Sequence, residues 1–171
     1  MATYLFAFNP AIWNWPELAS DIGTIARRGH LDTTWSCGRH RHIDPGSRAF
    51  LVRLGVAPKG ILGAGVTLTP PVTVPHWIAE KAAVGITNNR VTLRLEALFE
   101  LPPVSFDDLV VPPFRRFRWG IRSSGTYLPE TIADALEDLW EARAAAAAKL
   151  RGTVPQRGAK AAARPKAKPR S

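Results

Sequence analysis

Residues 90–99 read Arg-Val-Thr-Leu-Arg-Leu-Glu-Ala-Leu-Phe, and apolar and polar side chains alternate along this stretch. Successive side chains of an extended chain point to opposite faces of a sheet. The odd-numbered residues, all apolar, therefore share one face, and Arg90, Thr92, Arg94 and Glu96 share the other. This pattern predicts a half-buried β-strand.

Other segments with the composition of strands surround this one in the chain. Residues 3–8 are rich in β-branched and aromatic side chains and end at Asn9-Pro10. A turn of hairpin length, Gly55–Gly60, separates two further extended runs. The predicted strands before residue 90 are thus 3–8, 31–36, 48–54 and 61–68.

Residues typical of helix ends delimit an early helix. Asn14 is placed to cap the first helix, with Pro16 in its first turn and Glu17 at capping-box spacing. Arg27-Arg28-Gly29 supplies the cations and the glycine typical of a helix C-terminus.

Three more helical segments are predicted further along the chain. A short turn is expected near residues 80–83, and Ser105 opens another turn in which Asp107 and Asp108 favour the helix dipole. The last helix runs from about Pro129 to Lys149. Together with the strands, these helices predict an α+β fold, a mostly antiparallel β-barrel with flanking helices.

The formal charge of +9 is unevenly distributed. Seven of the 23 basic residues and none of the 14 acidic ones lie in residues 151–171, so residues 1–150 carry 16 basic and 14 acidic side chains. The last 21 residues offer little to bury and are predicted to be a disordered basic tail. We therefore expect one domain, 1–150, and a tail, 151–171. A polyanionic partner is plausible, although the high pI comes mostly from the tail.

The remaining composition bears on location. The single cysteine excludes an intrachain disulfide, no apolar run reaches the ~18 residues of a membrane span, and the first residues lack a basic signal region. We expect a cytoplasmic protein with no membrane partner.

Several segments, taken in order, resemble the EVE-type domain that is often fused to HNH nucleases. The first are Phe6-Ala7-Phe8-Asn9-Pro10 with Trp13-Asn14-Trp15, and Trp35-Ser36-Cys37-Gly38. The resemblance continues through residues 45–55, 58–65, 75–77 with 80–83, and 119–127, and so covers roughly residues 3–142.

This resemblance implies a PUA-like barrel, related to the YTH and ASCH domains, that holds a flipped, modified base in an aromatic pocket. In the fused proteins the EVE-type domain looks like the reader of methylated or hydroxymethylated cytosine, and the nuclease cuts. No HNH signature occurs in this sequence. We therefore expect a reader of modified double-stranded DNA that is not an enzyme, with a separate nuclease as a partner left open.

The predicted base pocket combines stacking surfaces with short polar groups. Indole rings stack on any base, the Asn9 amide offers a donor and an acceptor, and a Ser-Ser-Gly segment brings hydroxyls and a flexible backbone close to a ligand. Core packing or ordinary turns are the competing interpretation for each. The candidates are Asn9, Trp13, Trp35, Ser36, Trp77, Ser123, Ser124 and Gly125.

Two arginine clusters are candidates for phosphate contacts, which add salt-dependent affinity without sequence information. Solvated charged loops are the alternative. The residues are Arg39 and Arg41 in the first cluster, and Arg115, Arg116 and Arg118 with Arg122 in the second.

Cys37, His40 and His42, with His30 upstream, raise the question of a zinc site. Their spacing matches no usual finger, and Arg39 and Arg41 would repel a cation. We therefore predict no metal, no cofactor and no catalytic residue. Three alternatives stay open: a modified-RNA binder, a nuclease or hydrolase subunit of a restriction system, and a packaging protein that binds through its tail.

Overall fold

A computed structural model describes residues 1–153 of the chain. Within them, eight strands and three α-helices alternate with irregular segments. The strands are β1 Thr3–Phe8, β2 Leu31–Ser36, β3 Arg48–Arg53, β4 Gly60–Thr67, β5 Val72–Pro75, β6 Thr87–Leu98, β7 Val104–Ser105 and β8 Thr126–Leu128. The helices are α1 Leu18–Arg28, α2 Ala79–Ala83 and α3 Glu130–Thr153, and two 3-10 turns cover Phe106–Leu109 and Phe114–Arg116.

All eight strands belong to one sheet, in the order β2-β6-β4-β3-β1-β8, with β5 on β6 and β7 on β4. Every pairing is antiparallel except that of β1 with β3. The predicted α+β class, the antiparallel sheet and the flanking helices are confirmed.

The predicted closed barrel is wrong, because the ladder of the described residues stays open between β1 and β2. The sheet ends at β2 and at β8, and the short β8 pairs only with Thr3–Leu5 of β1. The second half of β1 therefore has β3 on one side and no strand partner on the other. This unpaired half of β1 faces β2, and the site described below lies there.

Both faces of the sheet are buried, and each has its own core. Leu5 of β1 packs in a cluster with Leu136 and Trp140 of α3. Phe6 packs on the other face, in a cluster that contains Ile25 of α1.

A bulge in β6 changes the alternation from which the strand was predicted. Ala64 of β4 faces Ala97 but Gly65 faces Leu95, so Glu96 is an extra residue on β6. Past the bulge, Ala97 packs in the α3-side core, whereas Leu95 packs in the other one. The prediction that all odd residues of 91–99 share one face is therefore wrong at its end.

The predicted start of the first helix is also wrong. The helix begins at Leu18, its N-cap is Glu17, and the cap makes no side-chain hydrogen bond. Asn14 lies before the helix because Trp15 adopts a left-handed φ of 46° that breaks the chain direction. The predicted C-terminal end is confirmed: Gly29 has φ 82° and its N–H bonds to the Ile25 carbonyl.

The last helix is longer than predicted and includes the first residues assigned to the tail. Arg151 lies in α3, where its Nη1 donates to the Leu98 carbonyl at 3.3 Å and its guanidinium stands 4.3 Å from the Phe99 ring centroid. These contacts with buried backbone and ring hold the helix end. Residues 154–171, on which most of the disorder prediction falls, lie outside the described residues.

Candidate functional site

A pocket of about 400 Å³ opens at the seam between β1 and β2. Its walls come from the end of β1 and the following turn, the end of β2, the start of β6, and the loops around Trp77 and Ser124. The lining residues are Ala7, Phe8, Asn9, Ile12, Trp13, Thr34, Trp35, Ser36, Trp77, Arg90 and Ser124. Six of the eight residues predicted for a base pocket therefore meet here, and Ser123 and Gly125 do not line it.

Trp35 is both a core residue and a pocket wall. Its side chain is only 6% exposed, and its Nε1 donates to the Ala7 carbonyl at 3.0 Å. The ring centroids of Trp15 and Trp13 lie 5.0 and 5.8 Å from that of Trp35. Core packing and a place in the pocket wall are thus compatible for this residue.

Trp13 and Trp77 present exposed ring surface at the pocket mouth, with 42% and 55% of each residue accessible. Trp13 stacks on Trp15 at a centroid distance of 5.4 Å and an interplanar angle of 19°. Trp15 itself is buried, and its Nε1 donates to Asp21 at 2.8 Å. Trp77 stacks on His76 at 5.8 Å and 22°. Each exposed indole therefore rests on a second ring that restrains its orientation.

Ser124 joins the two strands at the seam. Its Oγ accepts the Ala7 N–H at 3.0 Å and donates to the Ser36 carbonyl at 2.6 Å. Gly125 follows with φ 86°, and its N–H bonds to the Leu5 carbonyl at 2.8 Å. The Ser-Ser-Gly segment therefore holds the sheet where backbone pairing is missing, and its hydroxyl at the pocket wall is already engaged.

Asn9 builds the turn that carries Trp13. Its Oδ1 accepts the Ala11 N–H at 3.0 Å, and its carbonyl accepts the N–H groups of Ile12 and Trp13, each at 3.0 Å. The predicted paired hydrogen bond to a base edge needs both the oxygen and the nitrogen of the amide. The oxygen already accepts one hydrogen bond in the turn and keeps a second lone pair, and no hydrogen bond of the turn uses Nδ2, so the paired contact stays a prediction.

Five lining residues were not predicted, and Arg90 is the charged one among them. It lies on β6 between Ser36 of β2 and Val72 of β5. Among the described residues its one hydrogen bond runs from Nη2 to the Thr34 carbonyl, at 3.4 Å, and its buried Nε has no partner. The alternation of residues 90–99 set Arg90 on the polar face. Nothing local indicated that a pocket covers that face.

Three of the predicted phosphate-binding arginines lie on loops next to the seam, but they do not line the pocket. Arg39 and Arg41 are exposed on the loop after β2, and Arg122 is exposed beside the Ser-Ser-Gly segment. The two stretches touch, because a Cβ on Gly38 would lie 2.5 Å from the Ser123 Oγ.

The other three arginines lie elsewhere. Arg115, Arg116 and Arg118 are exposed around the second 3-10 turn, which Phe114 and Trp119 anchor in the α3-side core. None of them lines the pocket. Across residues 1–153, none of the six predicted arginines takes part in an ion pair.

The thiol weighed as a zinc ligand is buried. Desolvation raises the pKa of Cys37 to about 11, and its Sγ donates to the His40 carbonyl at 3.7 Å. The thiol is therefore protonated at neutral pH and is a poor nucleophile or ligand. In the described part of the chain, no three His, Cys, Asp or Glu side chains are grouped so as to hold a metal ion.

Of the paired acids, Asp107 is exposed and Asp108 has a structural role. Asp108 completes the predicted cap of the first 3-10 turn with Ser105, and its Oδ1 accepts from Arg143 at 2.7 Å.

Of the helices in residues 1–153, none has the length and apolar character needed to cross a membrane.

Comparisons with known proteins bear on the fold alone. No family model and no curated protein matches the sequence. A hypothetical protein from Leishmania major is similar in structure, with a TM-score of 0.53 and 12% identity over 84% of this chain and 97% of that one. Crystal structures from Pseudomonas syringae (TM-score 0.51, 16% identity) and Pseudomonas putida (0.53, 15%) each match 81% of this chain and 99% of theirs.

Proposed function

We propose that this protein is a non-catalytic reader of a modified nucleobase, of the 5-methylcytosine or 5-hydroxymethylcytosine class, in double-stranded DNA. The observation that carries the proposal is the pocket at the seam, which combines three indole rings with one arginine. None of its eleven lining residues is acidic. An aromatic, acid-free pocket suits a planar ligand attached to a polyanion, and the volume of about 400 Å³ lies within the ~300–1,000 Å³ typical of ligand sites.

The proposed mechanism is base flipping. Extruding a nucleotide from a duplex costs a few kcal/mol, and each aromatic stacking partner contributes ~1–3 kcal/mol. Trp13 and Trp77 provide exposed rings, and Trp35 provides a fixed wall. A methyl or hydroxymethyl group adds surface to the base, and contact of this surface with an indole face is more favourable than its contact with water.

The wider assignment follows the sequence resemblance. We propose that the open sheet and its helices form a PUA-like domain, that the exposed arginines bind flanking phosphates, and that any cleavage belongs to a separate nuclease. The cytoplasm is the proposed location, consistent with the unpaired Cys37.

Fluorescence-polarisation titrations test the proposal with duplexes that differ only at one cytosine, left plain, methylated or hydroxymethylated, and with the matching RNAs. We expect tighter binding to a modified duplex. Trp77→Ala should remove that preference, by ~1–3 kcal/mol, because the variant lacks a stacking surface while the core is untouched. Tyr127→Ala is the matched control, because Tyr127 is 51% exposed and outside the pocket.

Trp35 requires a milder change than alanine. Removing a buried tryptophan leaves a cavity and costs ~3–5 kcal/mol of stability, so Trp35→Phe is the informative variant. Equal wild-type affinity for plain and modified nucleic acid would reject the reader function. Preference for a modified RNA over every DNA would reassign the substrate to RNA.

A further inference from the structure

The guanidinium of Arg90 has an incomplete environment within the protein. Its Nε is buried without an acceptor, and its Nη2 makes one long hydrogen bond, 3.4 Å, to the Thr34 carbonyl. By contrast, Arg48 meets two carboxylates, Glu137 at 2.6 Å and Glu96 at 3.1 Å. A buried donor without an acceptor is unfavourable, and such a group in a native fold calls for an explanation.

The pocket itself supplies no compensating charge. Its other polar lining residues are Asn9, Thr34, Ser36 and Ser124, all neutral. Ser36 donates its hydroxyl proton to Asn88, and Ser124 is engaged at the seam. No acidic side chain of the pocket pairs with this guanidinium, so its charge is available to an anionic ligand.

We propose that Arg90 binds the phosphate of the nucleotide whose base occupies the pocket. This assignment rests on the proposed reader function and adds to it a contact inside the pocket, distinct from the exposed arginines proposed to bind flanking phosphates. A methylated or hydroxymethylated cytosine is neutral, and its edge mixes donors with acceptors. Arginine only donates. The one anionic group of such a nucleotide is its phosphate, and charge-assisted contacts of this kind are about twice as strong as neutral ones.

The position of Arg90 on the sheet fits such a role. The residue stands on β6 between β2 and β5, with strand neighbours on both sides. Its backbone is fixed by two ladders, so the base of the side chain is held in place before the ligand arrives. The exposed arginines predicted to bind phosphates, in contrast, lie on loops or turns.

A neutral phosphate analogue tests the contact directly. The duplex carries one modified cytosine, and methylphosphonate replaces the phosphate on its 5′ side in one duplex and on its 3′ side in another. For the wild-type protein we expect one of these replacements to weaken binding about 10- to 100-fold. Arg90→Gln should weaken binding to the unaltered duplex by a similar factor, and the two changes together should cost little more than either alone.

Arg28→Gln serves as the matched control, since it removes the same charge from an exposed position at the end of α1. In that variant the full methylphosphonate effect should persist. Arg90→Lys keeps the charge but removes the planar guanidinium with its several N–H donors. Its affinity for the unaltered duplex should lie between those of the wild type and Arg90→Gln.

The outcomes separate the two proposals. If wild-type protein prefers the modified duplex but neither methylphosphonate matters, or if the two effects add in full in Arg90→Gln, the phosphate assignment is rejected and the reader function stands. If wild-type protein shows no preference for modification, the reader function is rejected and this assignment with it.

Discussion

At the scale of single residues, burial separates tryptophans that the sequence presents alike. Trp15, at 3% exposure, supports its neighbour Trp13, which is 42% exposed. The same distinction holds between the walls of the pocket, where Trp35 is fixed by a hydrogen bond and Trp77 is open. Exposed ring surface therefore comes from Trp13 and Trp77, whereas Trp15 is part of the core and Trp35 belongs both to the core and to the pocket wall.

Arginines show a parallel contrast, from which a stability prediction follows. Arg90→Met removes an unpaired buried donor while keeping an unbranched side chain. We therefore expect its unfolding temperature to equal that of the wild type or to exceed it by a few degrees. For a protein of this size, 1 kcal/mol of stability corresponds to ~2–4 °C. Arg48→Met breaks the ion pairs with the partly exposed Glu137 and Glu96 and should be destabilising by ~1–3 kcal/mol. Differential scanning calorimetry without nucleic acid measures both. A destabilisation of Arg90→Met as large as that of Arg48→Met would make Arg90 a structural residue.

At the scale of elements, the sheet depends on one irregular pairing and one open seam. The bulge at Glu96 brings β4 very close to β6, and the seam between β1 and β2 is held by the Ser124 hydroxyl. The open seam lies at the pocket, whereas the bulge lies near the other end of β6 and no residue there lines the pocket.

Gly65 tests the bulge. A Cβ at this position would lie 1.9 Å from the Arg94 carbonyl oxygen, a backbone atom that no rotamer change can move. We expect Gly65→Ala to lower the free energy of unfolding by ~3 kcal/mol or more, the upper end for overpacking.

Urea denaturation followed by circular dichroism measures this destabilisation. Gly120→Ala is the control, because a Cβ there meets nothing within 4 Å and the change should stay within ~0.5 kcal/mol. Equal midpoints for the two variants would contradict the close approach of β4 to β6.

At the scale of the whole molecule, charge is divided between two regions. Residues 154–171 hold six basic side chains and no acidic one, whereas the pocket residues carry a single charge, on Arg90. Affinity and recognition should therefore be separable.

A truncation after Thr153 tests this division and keeps Arg151, whose contacts with Leu98 and Phe99 belong to α3. We expect weaker binding to every duplex and a shallower dependence of affinity on salt, by up to ~0.9 in the logarithmic slope for each phosphate that the shortened protein no longer neutralises. The preference for the modified base should not change. Titrations at several salt concentrations give both quantities, and an altered preference would place part of the recognition in the tail.

The sequence by itself determined the features that depend on near neighbours. Alternation of apolar residues identified β6, and a glycine after two arginines marked the end of α1. Both signals arise from the periods of strand and helix, which repeat within a few residues. The resemblance also selected Trp13, Trp35 and Trp77, which the structure brings to one pocket.

Only the tertiary structure decided which of these side chains are free and what else joins them. Ser124 is tied to Ala7 across 117 positions of sequence, and Arg90 reaches Thr34 across 56. Such pairings depend on strand order, on the register of β2 against β6 and on the shortness of β8. These are properties of the assembled sheet, where the balance of long-range interactions is set by the whole chain rather than by any local pattern.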